Sequence, residues 1–176
     1  DTSILNESVP FLSGEVLKPD EMERYAQFET TDKTFSLYEH CRRALEKGAT
    51  RGAHDLPLMG AGDWNDGMNR VGMDGRGESI WLGWFLHNTL KRFAQLVVLM
   101  RDDPATYLQQ ADELSRALDA HAWDGDWYLR AYYDDGSRLG SHKNSECQID
   151  SIAQSWAVLS GAGDSTRATK AMESVN

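Results

Sequence analysis

The stretch Glu78–Met100, ESIWLGWFLHNTLKRFAQLVVLM, decides the architecture. Its apolar residues, among them Ile80, Trp81, Trp84, Phe85, Leu86, Leu90, Phe93, Leu96 and Val97, recur at helical spacing and go most of the way round the predicted helix. So broad an apolar surface is buried on more than one side, which places the helix inside a larger helical assembly. Downstream, the pattern predicts a second helix from about Pro104 to His121, with Pro near its first turn and a stripe of Leu108, Ala111, Leu114 and Leu118. The period then changes. Trp127–Tyr133 reads as a strand and Asp134-Asp135-Gly136 as a hairpin turn. Helical spacing resumes at Ile149, Ile152, Ala153 and Trp156 and closes near Gly161. A last helix, N-capped by Asp164 or Ser165, is expected to run to the end of the chain. Upstream, Phe35, Leu37, Tyr38, Cys41, Ala44 and Leu45 predict a helix from Thr31 to about Gly48. Residues 1–30, broken by Pro10, Gly14 and Pro19, read as irregular.

The expectation is a mostly helical chain of five helices with one inserted hairpin, and no internal repeat or linker. Its 176 residues suit a single domain. A net charge of −10, from 28 acidic and 18 basic residues, repels phosphate backbones and argues against nucleic acid as a partner. No apolar run approaches the ~18 residues of a membrane span. Cys41 and Cys147 lack CxxC or Cys/His spacing and read as reduced thiols of a cytoplasmic protein. His40, His87, His121 and His142 share no ligand spacing, so no metal is expected. A Gly-x-Ser-x-Gly elbow and a phosphate-cradling glycine fingerprint are also lacking.

Between the first two helices, residues 49–77 carry seven glycines and no period, yet include Leu56, Pro57, Leu58, Met59, Trp64, Met68 and Val71. A long loop with apolar content is more often functional than disordered. Its centre, Gly60-Ala61-Gly62-Asp63-Trp64-Asn65-Asp66-Gly67-Met68-Asn69-Arg70, packs two carboxylates, two carboxamides, an arginine and an indole among glycines. Sugar chemistry uses such a set: an acid to protonate a leaving oxygen, amides to bind hydroxyls and a ring to stack on a pyranose. A carboxyl shielded by Trp64 would have a raised pKa, as a general acid needs. A calcium loop fails on register, because Gly67 falls at position 5 and Asp74 at position 12 when counting starts at Asp63. An Asx-rich turn network capping neighbouring helices fits the composition equally well. Chemistry alone does not choose between Asp63 and Asp66.

The segment Ala53-His54-Asp55-Leu56-Pro57-Leu58-Met59-Gly60-Ala61-Gly62-Asp63-Trp64-Asn65-Asp66-Gly67-Met68-Asn69 resembles the catalytic loop of glycoside hydrolase family 94. That family includes cellobiose and chitobiose phosphorylases and the phosphorylase-like domain of cyclic β-1,2-glucan synthases. Gly75–Leu86, Val9–Leu12, Trp123–Tyr128 and Glu146–Trp156 resemble the glucan-synthase and 1,2-β-oligoglucan phosphorylase branch, although Asp55 stands where that branch has glycine.

The resemblance implies a partial (α/α)6 barrel of the six-hairpin glycosidase type, with residues 1–176 as one fragment of it, truncated at both ends and inactive alone. It implies Asp66 as the general acid and Trp64 as the donor-sugar platform, with Asp63, Asn65 and Arg70 shaping the loop or binding substrate. The reaction would be inverting phosphorolysis of a β-linked glucan, β-1,2 by branch, to α-glucose 1-phosphate. Inorganic phosphate would be the co-substrate, with no cofactor. The location would be cytoplasmic, at the inner membrane if the chain is part of a glucan synthase. Exposed barrel faces would leave room for self-association. The rival readings are a non-catalytic carbohydrate-binding or interaction module and an inverting glycosidase that uses water. Asp150 and Gln154, one turn apart on a helix, could reach a sugar or pair on the helix surface. His54 reads as a hydrogen-bonding neighbour of the loop, and Glu146 has no deducible role.

Overall fold

A computed structural model describes residues 2–18, 21 and 23–176, in two compact units that divide between Lys47 and Gly48. Pro19, read above as a period breaker, lies outside the described residues. In the first unit Ser8–Ser13 (β1) pairs antiparallel with Glu29–Ser36 (β2), and the register shifts between Pro10 and Leu12. Helix α1 follows at Leu37–Gly48. This corrects two expectations. Residues 1–30 are not wholly irregular, and Thr31–Ser36 extend a strand instead of opening a helix. Phe35 faces Phe11 across the hairpin, ring centroids 5.7 Å apart, and the Arg43 guanidinium lies 4.3 Å from the Phe35 ring. His40 Nε2 donates to the Val9 carbonyl (3.0 Å), tying α1 to β1. β-Branched and aromatic residues thus find partners across the hairpin, which outweighs a helical period carried by only a few apolar positions.

The second unit holds the loop and the remaining elements: β3 (Glu78–Ser79), α2 (Ile80–Leu99), α3 (Ala105–His121), β4 (Ala131–Tyr132), β5 (Arg138–Leu139), α4 (Ser151–Ser160) and α5 (Ser165–Glu173). Helix α2 packs on α3 and α4, and α5 packs on α4. Ile80, Trp84, Leu86, Leu90, Phe93 and Val97 are buried around much of α2, so the broad apolar surface does mark the central helix. The α3 stripe holds at Ala111, Leu114 and Leu118, while Leu108 is exposed.

The strands order as β3-β4-β5, antiparallel throughout, so the hairpin gains a third strand from the end of the loop. Only Ala131–Tyr132 of the expected strand 127–133 joins the ladder. Asp134-Asp135-Gly136 does make the turn, with Tyr133 N bonded to Ser137 O (2.8 Å). Helix α4 is capped by Asp150 and ends at Gly161 (φ 66°). Asp164 caps α5, which closes at Glu173 and so does not run to Asn176. Helices therefore dominate, with five among the described residues beside two small sheets.

Candidate functional site

The loop from Ala49 to Gly77 folds against the three-stranded sheet through its apolar residues. Met59 and Val71 pack with Ala131, flanked by Met68, Tyr133 and Leu139, and Leu56 is fully buried. That hydrophobic contact holds a glycine-rich segment in place. Its polar groups are then satisfied by three carboxylates, at its beginning, middle and end.

At the beginning, Glu78 is 1% exposed. It accepts from the backbone nitrogens of His54 (2.9 Å) and Leu56 (3.2 Å) and from His54 Nδ1 (2.5 Å). The His54 ring stacks on Tyr132, centroids 3.9 Å apart. His54 is thus bonded at the loop, and to a buried acid that sequence reasoning passed over. Asp55 takes φ 58°, the left-handed region, where glycine would sit without strain.

At the end, Asp134 of the hairpin turn accepts three backbone N–H groups, from Asp74, Arg76 and Gly77, each at 2.8 Å. Burial pushes the Asp134 carboxyl up, but these three donors and the Arg76 charge hold it below the usual range.

In the middle lies Asp63, its side chain wholly buried. Arg130, 1% exposed, grips it with a bidentate pair: Nη1 to Oδ2 and Nη2 to Oδ1, both 2.7 Å. Ser79 Oγ donates to Oδ2 (2.5 Å) while accepting from Leu82 N as the cap of α2. Arg130 Nε reaches Asp150 (3.0 Å), the cap of α4. Burial alone would raise the Asp63 pKa. The bonds from Arg130, Ser79 and the Asn65 backbone outweigh it and hold the carboxyl below its ordinary value. Asp63 is therefore an ionised structural anchor, with no proton to give near neutrality.

The other expected residues lie on the open side. Asn65 N donates to Asp63 Oδ1 (3.1 Å), and Asn65 Oδ1 caps the short 3-10 turn Asp66–Met68 by accepting from Gly67 N (2.9 Å). Asp66 is exposed on that turn, and Trp64 beside it is 72% exposed. Trp64 therefore does not enclose a carboxyl group among the described residues. Asp63, the loop carboxylate that is enclosed, is covered by Ser79 and Arg130 and shifts downward. Arg70 is exposed and lines a shallow hollow of 320 Å³ with Arg76, Tyr133 and Asp134. The ion-pair partner of Asp63 is Arg130.

Asp150 pairs with Arg130 and caps its own helix. Gln154, 0% exposed, bonds the Tyr128 nitrogen and carbonyl (2.8 Å each), so it is not open to a sugar. Asp124 and Gly125 form a tight turn, with Asp124 N bonded to Trp127 O (2.9 Å). Arg130, Glu78, Ser79 and Asp134 were missed from the sequence. Their partners lie up to 67 residues away, and a lone Arg in an apolar strand-like run was the one available signal. Among the described residues, no group of three or more His, Cys, Asp or Glu side chains is placed to hold a metal ion, and no helix is long and apolar enough to cross a membrane.

The chain resembles known proteins over most of its length. It is 47% identical over 178 residues to a cyclic beta-(1,2)-glucan synthase, NdvB, of Rhizobium meliloti (strain 1021), a match covering 99% of this chain and 6% of that protein. It is 37% identical to a solabiose phosphorylase of Paenibacillus borealis over 80% of this chain and 19% of the relative. To an N,N'-diacetylchitobiose phosphorylase of Vibrio proteolyticus it is 30% identical over 80% of this chain and 18% of the relative. The chain thus spans about a fifth or less of the length of these relatives. The model of the glycosyl hydrolase 94 superfamily catalytic domain matches residues 4–176. The chain belongs to that family, the glycosyl hydrolase 94 superfamily, as part of its catalytic domain.

Proposed function

We propose that this chain supplies the general acid, Asp66, and a donor-sugar platform, Trp64, to an inverting phosphorylase-type reaction on a β-linked glucan. The observation that carries this reading is the unequal treatment of the two loop carboxylates. Asp63 is sealed against Arg130 as an anion, whereas Asp66 stands exposed on a capped turn next to an exposed indole. An acid that must meet a glycosidic oxygen has to be open to substrate, and an indole with a free face is what a pyranose stacks on. In the reaction the Asp66 proton passes to the glycosidic oxygen as the bond from that oxygen to the anomeric carbon breaks. A phosphate oxygen bonds to that carbon from the opposite face, giving α-glucose 1-phosphate and a shortened glucan. Asp66 is left as a carboxylate and regains a proton from solvent.

A β-1,2 linkage is favoured by the relative named cyclic beta-(1,2)-glucan synthase, which matches nearly the whole chain. The helices of the second unit would then be part of an (α/α)6 barrel completed by the rest of the protein. Phosphate would be held largely by residues beyond these 176.

The test uses the full-length protein with β-1,2-gluco-oligosaccharide and inorganic phosphate. The wild type should release glucose 1-phosphate, and Asp66→Asn should lower kcat by about 10²–10⁴-fold while oligosaccharide binding persists. Turnover that is independent of phosphate would point to a glycosidase instead, and binding without turnover to a carbohydrate-binding module. An Asp66→Asn enzyme at wild-type rate would show that another group is the acid.

A further inference from the structure

We infer that Arg130 is a positioning residue for Asp66: by clamping the buried Asp63 it holds the backbone turn on which Asp66 is presented. The consequence for turnover rests on the reading of Asp66 as the acid, whereas the placement of the turn does not.

Arg130 is fixed from every direction. Its carbonyl accepts from Ile80 N (3.2 Å) at the start of α2, and its N–H donates to Leu139 O (2.8 Å) in β5. Its guanidinium spends Nη1 and Nη2 on Asp63 and Nε on Asp150. One planar fork thus joins the loop, the sheet and the first turns of α2 and α4. A guanidinium sets orientation as well as distance, which an ammonium does not.

From Asp63 the linkage runs outward along the loop. Asp63 Oδ1 takes the Asn65 N–H (3.1 Å), Asn65 Oδ1 takes the Gly67 N–H (2.9 Å), and the Asn65 carbonyl takes the Met68 N–H (3.1 Å). Asp66 sits between two residues held this way. Its own side chain is exposed, so its position is set by the backbone, and the backbone by the buried pair. Stability alone is a weak reason for such a pair, because apolar side chains of similar volume commonly stabilise a core as well. What apolar side chains do not supply is a fixed angle for the loop.

The test compares wild-type full-length protein with Arg130→Lys, which keeps the charge and loses the fork. Amide exchange at Asn65 and Gly67 should quicken about tenfold or more, while amides in α2 and α4 stay protected. On a β-glucan with phosphate, kcat should fall about 100-fold, the scale expected for a misplaced reacting group, with KM changed less than about threefold. Loop exchange and kcat both at wild-type values would overturn the inference. So would a loss of protection spread evenly over α2 and α4, since Arg130 would then only be holding up the fold. Should Arg130→Lys fail to fold, Asn65→Ala breaks the exposed last link. It should lower kcat at least ~10-fold with KM little changed, and wild-type kcat there would equally overturn the inference. If the wild-type protein shows no turnover, the phosphorylase reading fails, and the exchange measurement still decides whether Arg130 positions the turn.

Discussion

Arg130 and Asp63, 67 residues apart, meet in two parallel 2.7 Å bonds with side chains 1% and 0% exposed. A pair so enclosed is costly to halve. Arg130→Met or Asp63→Leu alone should destabilise the protein by about 3–5 kcal/mol, because the first leaves the buried Asp63 unpaired and the second leaves the buried guanidinium with Asp150 alone. The double substitution should recover much of that loss. Urea unfolding of the three variants, read as a double-mutant cycle, measures the difference.

Backbone geometry in the loop gives a contrasting pair of substitutions. A Cβ on Gly77 would run into the Val71 carbonyl and Gly72, both backbone, so Gly77→Ala should cost roughly 1–3 kcal/mol. Asp55, at φ 58°, carries a side chain in a conformation that disfavours one. Asp55→Gly should raise stability by up to about 1 kcal/mol. Thermal melting reads both, with opposite signs.

His87 on α2 is 4% exposed. Burial pushes its pKa down, Lys91 lowers it further and Asp112 opposes them. The folded chain thus holds His87 neutral, whereas the unfolded chain protonates it near its ordinary value. Below about pH 6.5 the unfolded state binds the extra proton, so stability should fall as pH drops from 7 towards 5. His87→Asn should flatten that slope in denaturation curves taken across the range.

A separate acid limb comes from Asp63, Asp124 and Asp134, whose pKa values all lie below the ordinary carboxylate value in the fold. Burial opposes each shift and bonded donors outweigh it. Their contribution is complete above pH ~4 and is lost as pH falls through the lowered folded values. Amide exchange in the 60–77 loop, followed from pH 5 downward, should report the loop loosening as Asp63 and Asp134 protonate.

Trp64 is 72% exposed, so Trp64→Ala should leave the melting temperature almost unchanged. Loss of one stacking face should raise KM for the glucan about tenfold, on the order of 1.4 kcal/mol. Steady-state kinetics with oligosaccharide as the varied substrate distinguishes this from an effect on kcat.

Much of the framework was written in local pattern. The central helix was legible because its apolar residues recur every three or four positions, and α3 and α4 for the same reason. The end of α4 at Gly161 and the start of α5 at Asp164 follow from capping preferences that involve only neighbours. The Asp134-Asp135-Gly136 turn is equally local. By contrast, the β1–β2 hairpin escaped notice, since most of its residues face solvent and alternate only weakly. The two-residue β3 is too short to carry a period of its own.

Read alone, the residues specify a helical chain and mark one loop as the candidate for chemistry, because helical period and a dense cluster of polar side chains are properties of neighbouring residues. The family resemblance singled out Asp66 within that loop. Long-range packing is what seals Asp63 as an anion under Arg130, sets Glu78 and Asp134 to pin the two ends of the loop, and leaves Asp66 and Trp64 open. A buried charge is tolerable only where distant segments bring it donors, and which segments meet depends on packing that spacing along the chain does not encode.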